Sequence, residues 1–111
     1  MLLLVVINTI AGLLIAALSL PLILGKIPPN PWYGFRTPRT LGDPAVWYPA
    51  NAYAGRWLLA TGAIIALAAI ALLFVPAISV ETYSYTMLAV TLITVGVTVL
   101  QSFRYLSRLP K

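Results

Sequence analysis

Arg36 and Arg39 flank Thr37-Pro38, and Asp43 follows four residues after the second arginine. Nowhere else in the chain do charges of both signs stand so close together. Two guanidinium forks can hold a carboxylate or phosphate through paired hydrogen bonds, or stabilise negative charge developing in acyl or phosphoryl transfer. Thr37, ahead of a proline, is pushed out of the α region. Thr37-Pro38-Arg39-Thr40 is therefore predicted as a tight turn presenting both arginines. Gly42-Asp43-Pro44 reads as a helix start, with Asp43 as N-cap and Pro44 at the first helical position. Free amides at such a start add to an anion site. Asp43 itself fits a cap, or a salt-bridge partner for one arginine, better than a catalytic acid. Trp47, Asn51 and Gly55 then recur every four residues along one helix side, with Arg56 beside them. Pro49 should kink that helix, or split a short interfacial helix from a membrane helix. Asn51 suits a structural hydrogen bond at the membrane edge, with a ligand as the alternative, and Gly55 suits a close helix contact.

The residues that would complete a catalytic set are missing. With no cysteine and no histidine, the chain has no thiolate, no histidine acid–base pair and no zinc site of the usual kind. No cofactor and no metal is expected. The serines do not stand in a nucleophile-elbow pattern. The candidate set of Arg36, Arg39, Asp43, Trp47, Asn51 and Arg56 is accordingly read as ligand- or partner-binding. Gly34, Pro38 and Gly55 are read as structural, and no catalytic residue is assigned. The plainer role for the two arginines is pairing with lipid headgroups and setting topology.

These residues must be positioned by membrane helices. Hydrophobic residues make up 61% of the 111-residue chain and charged residues 8%. A water-facing domain carries about a quarter charged residues, so the solvent of this chain is lipid. No charge interrupts residues 2–25, 57–80 or 82–103, and about 20 apolar residues cross the hydrocarbon core. Spans are predicted near 2–25, 54–75 and 83–103, giving an all-α membrane protein of one three-helix domain. The first run is longer than a signal-peptide core and lacks a basic leader. Three spans put all seven basic residues (Lys26, Arg36, Arg39, Arg56, Arg104, Arg108 and Lys111) on one side and Glu81 on the other. Loops rich in Lys and Arg stay in the cytoplasm, which predicts a cytoplasmic loop 26–53 and C-terminus with the N-terminus outside. It also separates Asp43 from Glu81, so the two carboxylates cannot work as a pair. The formal charge of +5, clustered at span ends, suits anionic headgroups rather than nucleic acid.

Small and hydroxylated residues mark one face of each span: Asn8, Gly12, Ala16 and Ser19; Gly55, Gly62, Ala66 and Ala69; Ser84, Thr91, Thr94, Thr98 and Gln101. Such faces let membrane helices approach closely and hydrogen-bond. They predict the bundle seam. A polar solute pathway is the weaker alternative, since no span holds an ionisable residue. Three helices leave part of these faces uncovered, which admits a homo-oligomer. Six of the nine prolines, all three tryptophans and three of the six tyrosines fall within residues 26–57. Disordered linkers are poor in aromatics. The segment is predicted to be an ordered cap with a short interfacial helix between the first two spans.

At this loop, Asn30-Pro31-x-x-Gly34-Phe35-Arg36-Thr37-Pro38-Arg39-Thr40-Leu41, followed by Trp47, Asn51, Ala54 and Gly55, resembles the signature of the SdpI family of prokaryotic membrane proteins. The resemblance implies a three-helix unit with this loop as its hallmark. It also implies immunity to a secreted peptide toxin, with signalling through capture of a repressor at the membrane. The founding member looks longer, with a further N-terminal membrane region, so this chain corresponds to its C-terminal unit. The leading expectation is a membrane immunity or signalling protein that binds a membrane-active peptide or a regulatory protein. The alternatives are a membrane-surface enzyme acting on a peptide or phosphate-bearing lipid, and an accessory subunit of a larger membrane complex.

Overall fold

A computed structural model describes residues 1–110. Four helices follow one another: α1 (Leu2–Ile23), α2 (Pro38–Gly42), α3 (Pro44–Ala71, extended by a 3-10 turn over Leu72–Phe74) and α4 (Val80–Arg108). Three of them are long and apolar enough to cross a membrane. Their outward faces carry leucine, isoleucine, valine and phenylalanine. The protein is an all-helical membrane protein. Its longest dimension is 53 Å, beyond the 40–45 Å or so of a bilayer with its headgroups.

Local chemistry sets the helix ends. Gly25, at φ 68°, closes α1 in a Schellman motif: its amide donates to Leu22 O and that of Lys26 donates to Pro21 O. Asp43 Oδ1 accepts from the Ala45 amide at 2.9 Å and Pro44 opens α3, as the sequence predicts. Ser79 Oγ accepts from the Thr82 amide at 3.0 Å at the start of α4. The predicted turn at Thr37–Thr40 is instead the first turn of α2. Thr37 and Thr40 cap each other reciprocally, with Pro38 at N1.

Two expected boundaries shift. The second long helix is continuous from the predicted start at Pro44 into the predicted span 54–75, and Pro49 lies inside it without dividing it. The short separate helix is α2, ahead of Asp43. Pro49 falls in the second turn, where it removes only the bond to the Ala45 carbonyl. Burial of Val46, Trp47, Ala50 and Asn51 on either side holds the helix together across it. α4 is also longer than the predicted span, and its last turns pack through Phe103 on Phe35 and through Leu106 on Val46 and Ala50.

α3 is the central mast, with α1 and α4 each packed along it. Gly12 and Gly62 meet backbone to backbone. A Cβ on Gly62 would lie 2.5 Å from Gly12 O, and one on Gly12 2.6 Å from Gly62 O. Gly55 approaches Ser19 O in the same seam. Across the other seam, the Thr61 and Thr98 hydroxyls lie 2.8 Å apart. At the end away from the loop, Val5, Ile65, Ala69, Tyr83 and Met87 form a three-helix core. The Tyr83 hydroxyl donates there to Ala69 O at 3.0 Å. The small-residue faces thus form the seams, with an exception: Asn8, Ser84 and Thr91 line an open cleft between α1 and α4.

Candidate functional site

Residues 26–43 fold back over the ends of all three spans, although prolines at 28, 29, 31 and 38 deny the backbone four amide donors. Side chains replace the missing backbone pairing. Asn30 Oδ1 accepts from the Trp32 and Tyr33 amides at 2.9 and 2.7 Å. Its Nδ2 donates to Pro28 O and Tyr33 O. The Tyr33 hydroxyl donates to Leu18 O of α1, and burial pushes this phenol above its ordinary pKa.

Asn51 is the keystone. Its side chain, 2% exposed, pairs with the Phe35 backbone like a neighbouring strand. Oδ1 accepts from the Phe35 amide at 2.6 Å and Nδ2 donates to Phe35 O at 3.3 Å. Nδ2 also donates to Trp47 O at 3.0 Å. The chain reaches this position through Gly34 at φ 111°, a conformation that disfavours side chains. A Cβ there would also lie 2.6 Å from Asn51 Oδ1. The fully buried Thr40 hydroxyl donates to the same Phe35 carbonyl at 2.9 Å. Trp47, also fully buried, donates from Nε1 to Ile27 O at 2.7 Å. Phe35 then meets Phe103 of α4 edge to face, with ring centres 5.1 Å apart.

The remaining candidates go elsewhere. Arg36 is exposed and donates to Pro31 O. Arg39 is half-buried and fastens the end of α4, donating to Leu106 O, Leu109 O and Pro110 O. Arg39 and Asp43 line a shallow depression of about 280 Å3 with Val46 and Pro110. Arg56 is exposed and does not line this depression. Arg36, Arg39, Asp43 and Asn51 therefore do not converge on one point. Trp47 and Asn51 hold the cap, Arg39 ties it to α4, and Arg36 is exposed on it, as is Trp32 at 86%. Sequence reasoning assigns no role to Asn30, Tyr33 or Thr40. The Thr37-x-x-Thr40 spacing resembles a capping box and was a usable signal for the last.

The profile of the SdpI/YfhL protein family matches residues 26–102. The chain belongs to this family. The family match begins immediately after the Schellman turn of α1. It takes in the whole cap, α3 and most of α4, the parts that Asn51, Thr40 and Phe35 knit together. No curated protein and no solved structure matches the chain.

Proposed function

We propose that this SdpI/YfhL-family protein is a membrane immunity or signalling protein. It engages a membrane-active peptide or a regulatory protein through the outer surface of its cap, around Trp32 and Arg36. The observation that carries this reading is that the cap is tied down from inside by side-chain hydrogen bonds of Asn51, Thr40 and Trp47, while a large aromatic ring and a guanidinium stay outside. Trp and Arg are the residues that dominate binding hot spots. Segregation of the basic residues supports a cytoplasmic cap and C-terminus in the cell membrane. Reporter fusions at residue 40 and at the C-terminus test that placement.

The test of function is survival. Cells sensitive to a panel of membrane-permeabilising peptides should be protected against at least one of them when they express this chain. Trp32→Ala and Arg36→Gln should remove protection without lowering the amount of protein in the membrane. Unchanged killing by every peptide, at verified membrane levels, refutes the immunity reading. A second reading, an accessory subunit of a larger membrane complex, draws support from the open cleft at Asn8, Ser84 and Thr91. Polar groups facing lipid are stabilised by a partner helix. Stoichiometric co-purification with one membrane protein, lost on Asn8→Leu, would favour it.

A further inference from the structure

Three of the chain's cations stand apart from the cap. Arg56, Arg104 and Arg108 are all exposed, and helical spacing sets them beyond one end of a single groove. On the side of the α3/α4 seam facing away from the cap's Phe35–Phe103 contact, a groove of about 220 Å3 is lined by Trp57, Ala60, Ile64, Ile93, Thr94 and Val97. The arginines are not among the lining residues; helical spacing continues its two walls toward them. On α3, Arg56, Ala60 and Ile64 follow at intervals of one turn. On α4, Ile93, Val97, Gln101, Arg104 and Arg108 form one stripe at steps of three or four residues. Between the walls, at the basic end, Tyr53 and Tyr105 stack across the seam with ring centres 4.2 Å apart.

Depth matches a lipid. The stretch from residue 57 to the helix end at residue 74 is about 27 Å long and the uncharged run 82–103 about 33 Å, at 1.5 Å per residue. Both match the hydrocarbon thickness of about 30 Å. Arg56 and Arg104 thus lie at headgroup level in one leaflet, with Arg108 a turn further out, and the groove runs from them toward the bilayer centre. No acidic residue stands on either stripe. Arg39, by contrast, is engaged with the end of α4.

We infer that this groove is a binding site for an anionic phospholipid. The guanidiniums of Arg56, Arg104 and Arg108 take the phosphodiester and headgroup, and one acyl chain lies against Trp57, Ile64, Ile93 and Val97. Guanidinium forks match phosphate oxygens, and basic pockets between membrane helices select charged lipids. The inference is independent of any toxin or protein partner.

Trp57 reports on the site directly. With Trp32→Phe in the background, the other tryptophan is Trp47, which is fully buried and beyond reach of acyl chains. The purified protein is reconstituted in phosphatidylcholine vesicles containing a minor fraction of phosphatidylglycerol brominated on its acyl chains, or of phosphatidylcholine brominated in the same way. Each basic residue near a charged headgroup contributes about a fivefold preference. Quenching of Trp57 should therefore show at least about a fivefold preference for the anionic lipid. Arg56→Gln, Arg104→Gln and Arg108→Gln together should bring the preference near one. Lys26→Gln with Arg36→Gln should leave it unchanged. Equal quenching by the two lipids in the parent overturns the proposal. So does a preference that falls as much with Lys26 and Arg36 as with the three groove arginines.

Discussion

The Gly34–Asn51 contact supports a double-mutant cycle whose sign follows from the geometry. Asn51→Ala removes both bonds to Phe35 and leaves a part-buried amide unpaired. An unsatisfied buried donor costs about 1–3 kcal/mol, and the space left by the amide adds to this. The expected loss is about 2–4 kcal/mol. Gly34→Ala has two costs. The backbone at φ 111° disfavours any side chain by about 1–3 kcal/mol. In addition, the new methyl would stand 2.6 Å from Asn51 Oδ1, so the amide must move and its bonds to Phe35 are lost anyway. Once Asn51 is alanine, the methyl's next neighbours are Leu22 and Trp47 side-chain atoms at 3.3 Å. The second cost then disappears and the backbone cost remains. The two substitutions should be sub-additive by about 1–2 kcal/mol, above the few tenths seen for independent sites. Reversible unfolding of the four proteins in mixed detergent micelles, each carrying Trp32→Phe and Trp57→Phe so that emission comes from the buried Trp47, measures the cycle. Additivity within about 0.5 kcal/mol would show that Asn51 is not what makes Gly34 necessary, and would refute the keystone assignment.

Other perturbations probe separate joints. Arg39→Gln should loosen the end of α4 alone: hydrogen exchange across residues 103–110 should speed up, with little change in the melting temperature, because the lost bonds go to Leu106, Leu109 and Pro110. Thr61→Val should cost only about 0.5–1 kcal/mol, the usual value of an interhelical hydroxyl bond in a membrane, whereas Gly62→Leu should prevent folding. Its side chain would have to occupy space 2.5 Å from Gly12 O, and the yield of folded protein separates the two outcomes. Burial raises the Tyr33 phenol, so the folded state favours its neutral form. Stability from this group is fully present below the unfolded pKa of about 10 and is lost as pH rises through the higher folded value. The stability difference between the parent and Tyr33→Phe should therefore shrink above about pH 10, and a flat difference there would contradict the burial.

The spans were legible because hydrocarbon leaves few options: uncharged runs of sufficient length become helices, and glycines spaced by turns become seams. Helix starts at Asp43-Pro44 were also legible, since capping depends on neighbours in sequence. The split offered for Pro49 does not occur, because its rule is local. A proline near a helix start forfeits one bond, and the tertiary packing of Trp47 and Asn51 on either side outweighs that loss. The targets of Asn51 and Arg39 were hidden for the same reason. Asn51 reaches back 16 residues to Phe35, and Arg39 reaches 67 residues forward to Leu106. Neither residue type names its partner. The arginines near the turn looked like a pair by sequence spacing, yet α2 turns one toward α4 and leaves the other outside.

That division has a functional consequence. A loop with this many prolines cannot satisfy itself through regular backbone pairing, so it either remains solvated or borrows partners from side chains. Here Asn30, Thr40, Trp47 and Asn51 supply those partners, and the result is a surface whose conformation is fixed before anything binds. A partner meeting Trp32 and Arg36 then has little loop entropy to overcome on the protein side, and rigid presentation of this kind raises affinity without adding contacts. If a partner binds there as proposed, substitutions inside the cap should weaken that binding along with loss of Trp32, although the interior side chains of Thr40, Trp47 and Asn51 are buried away from the surface.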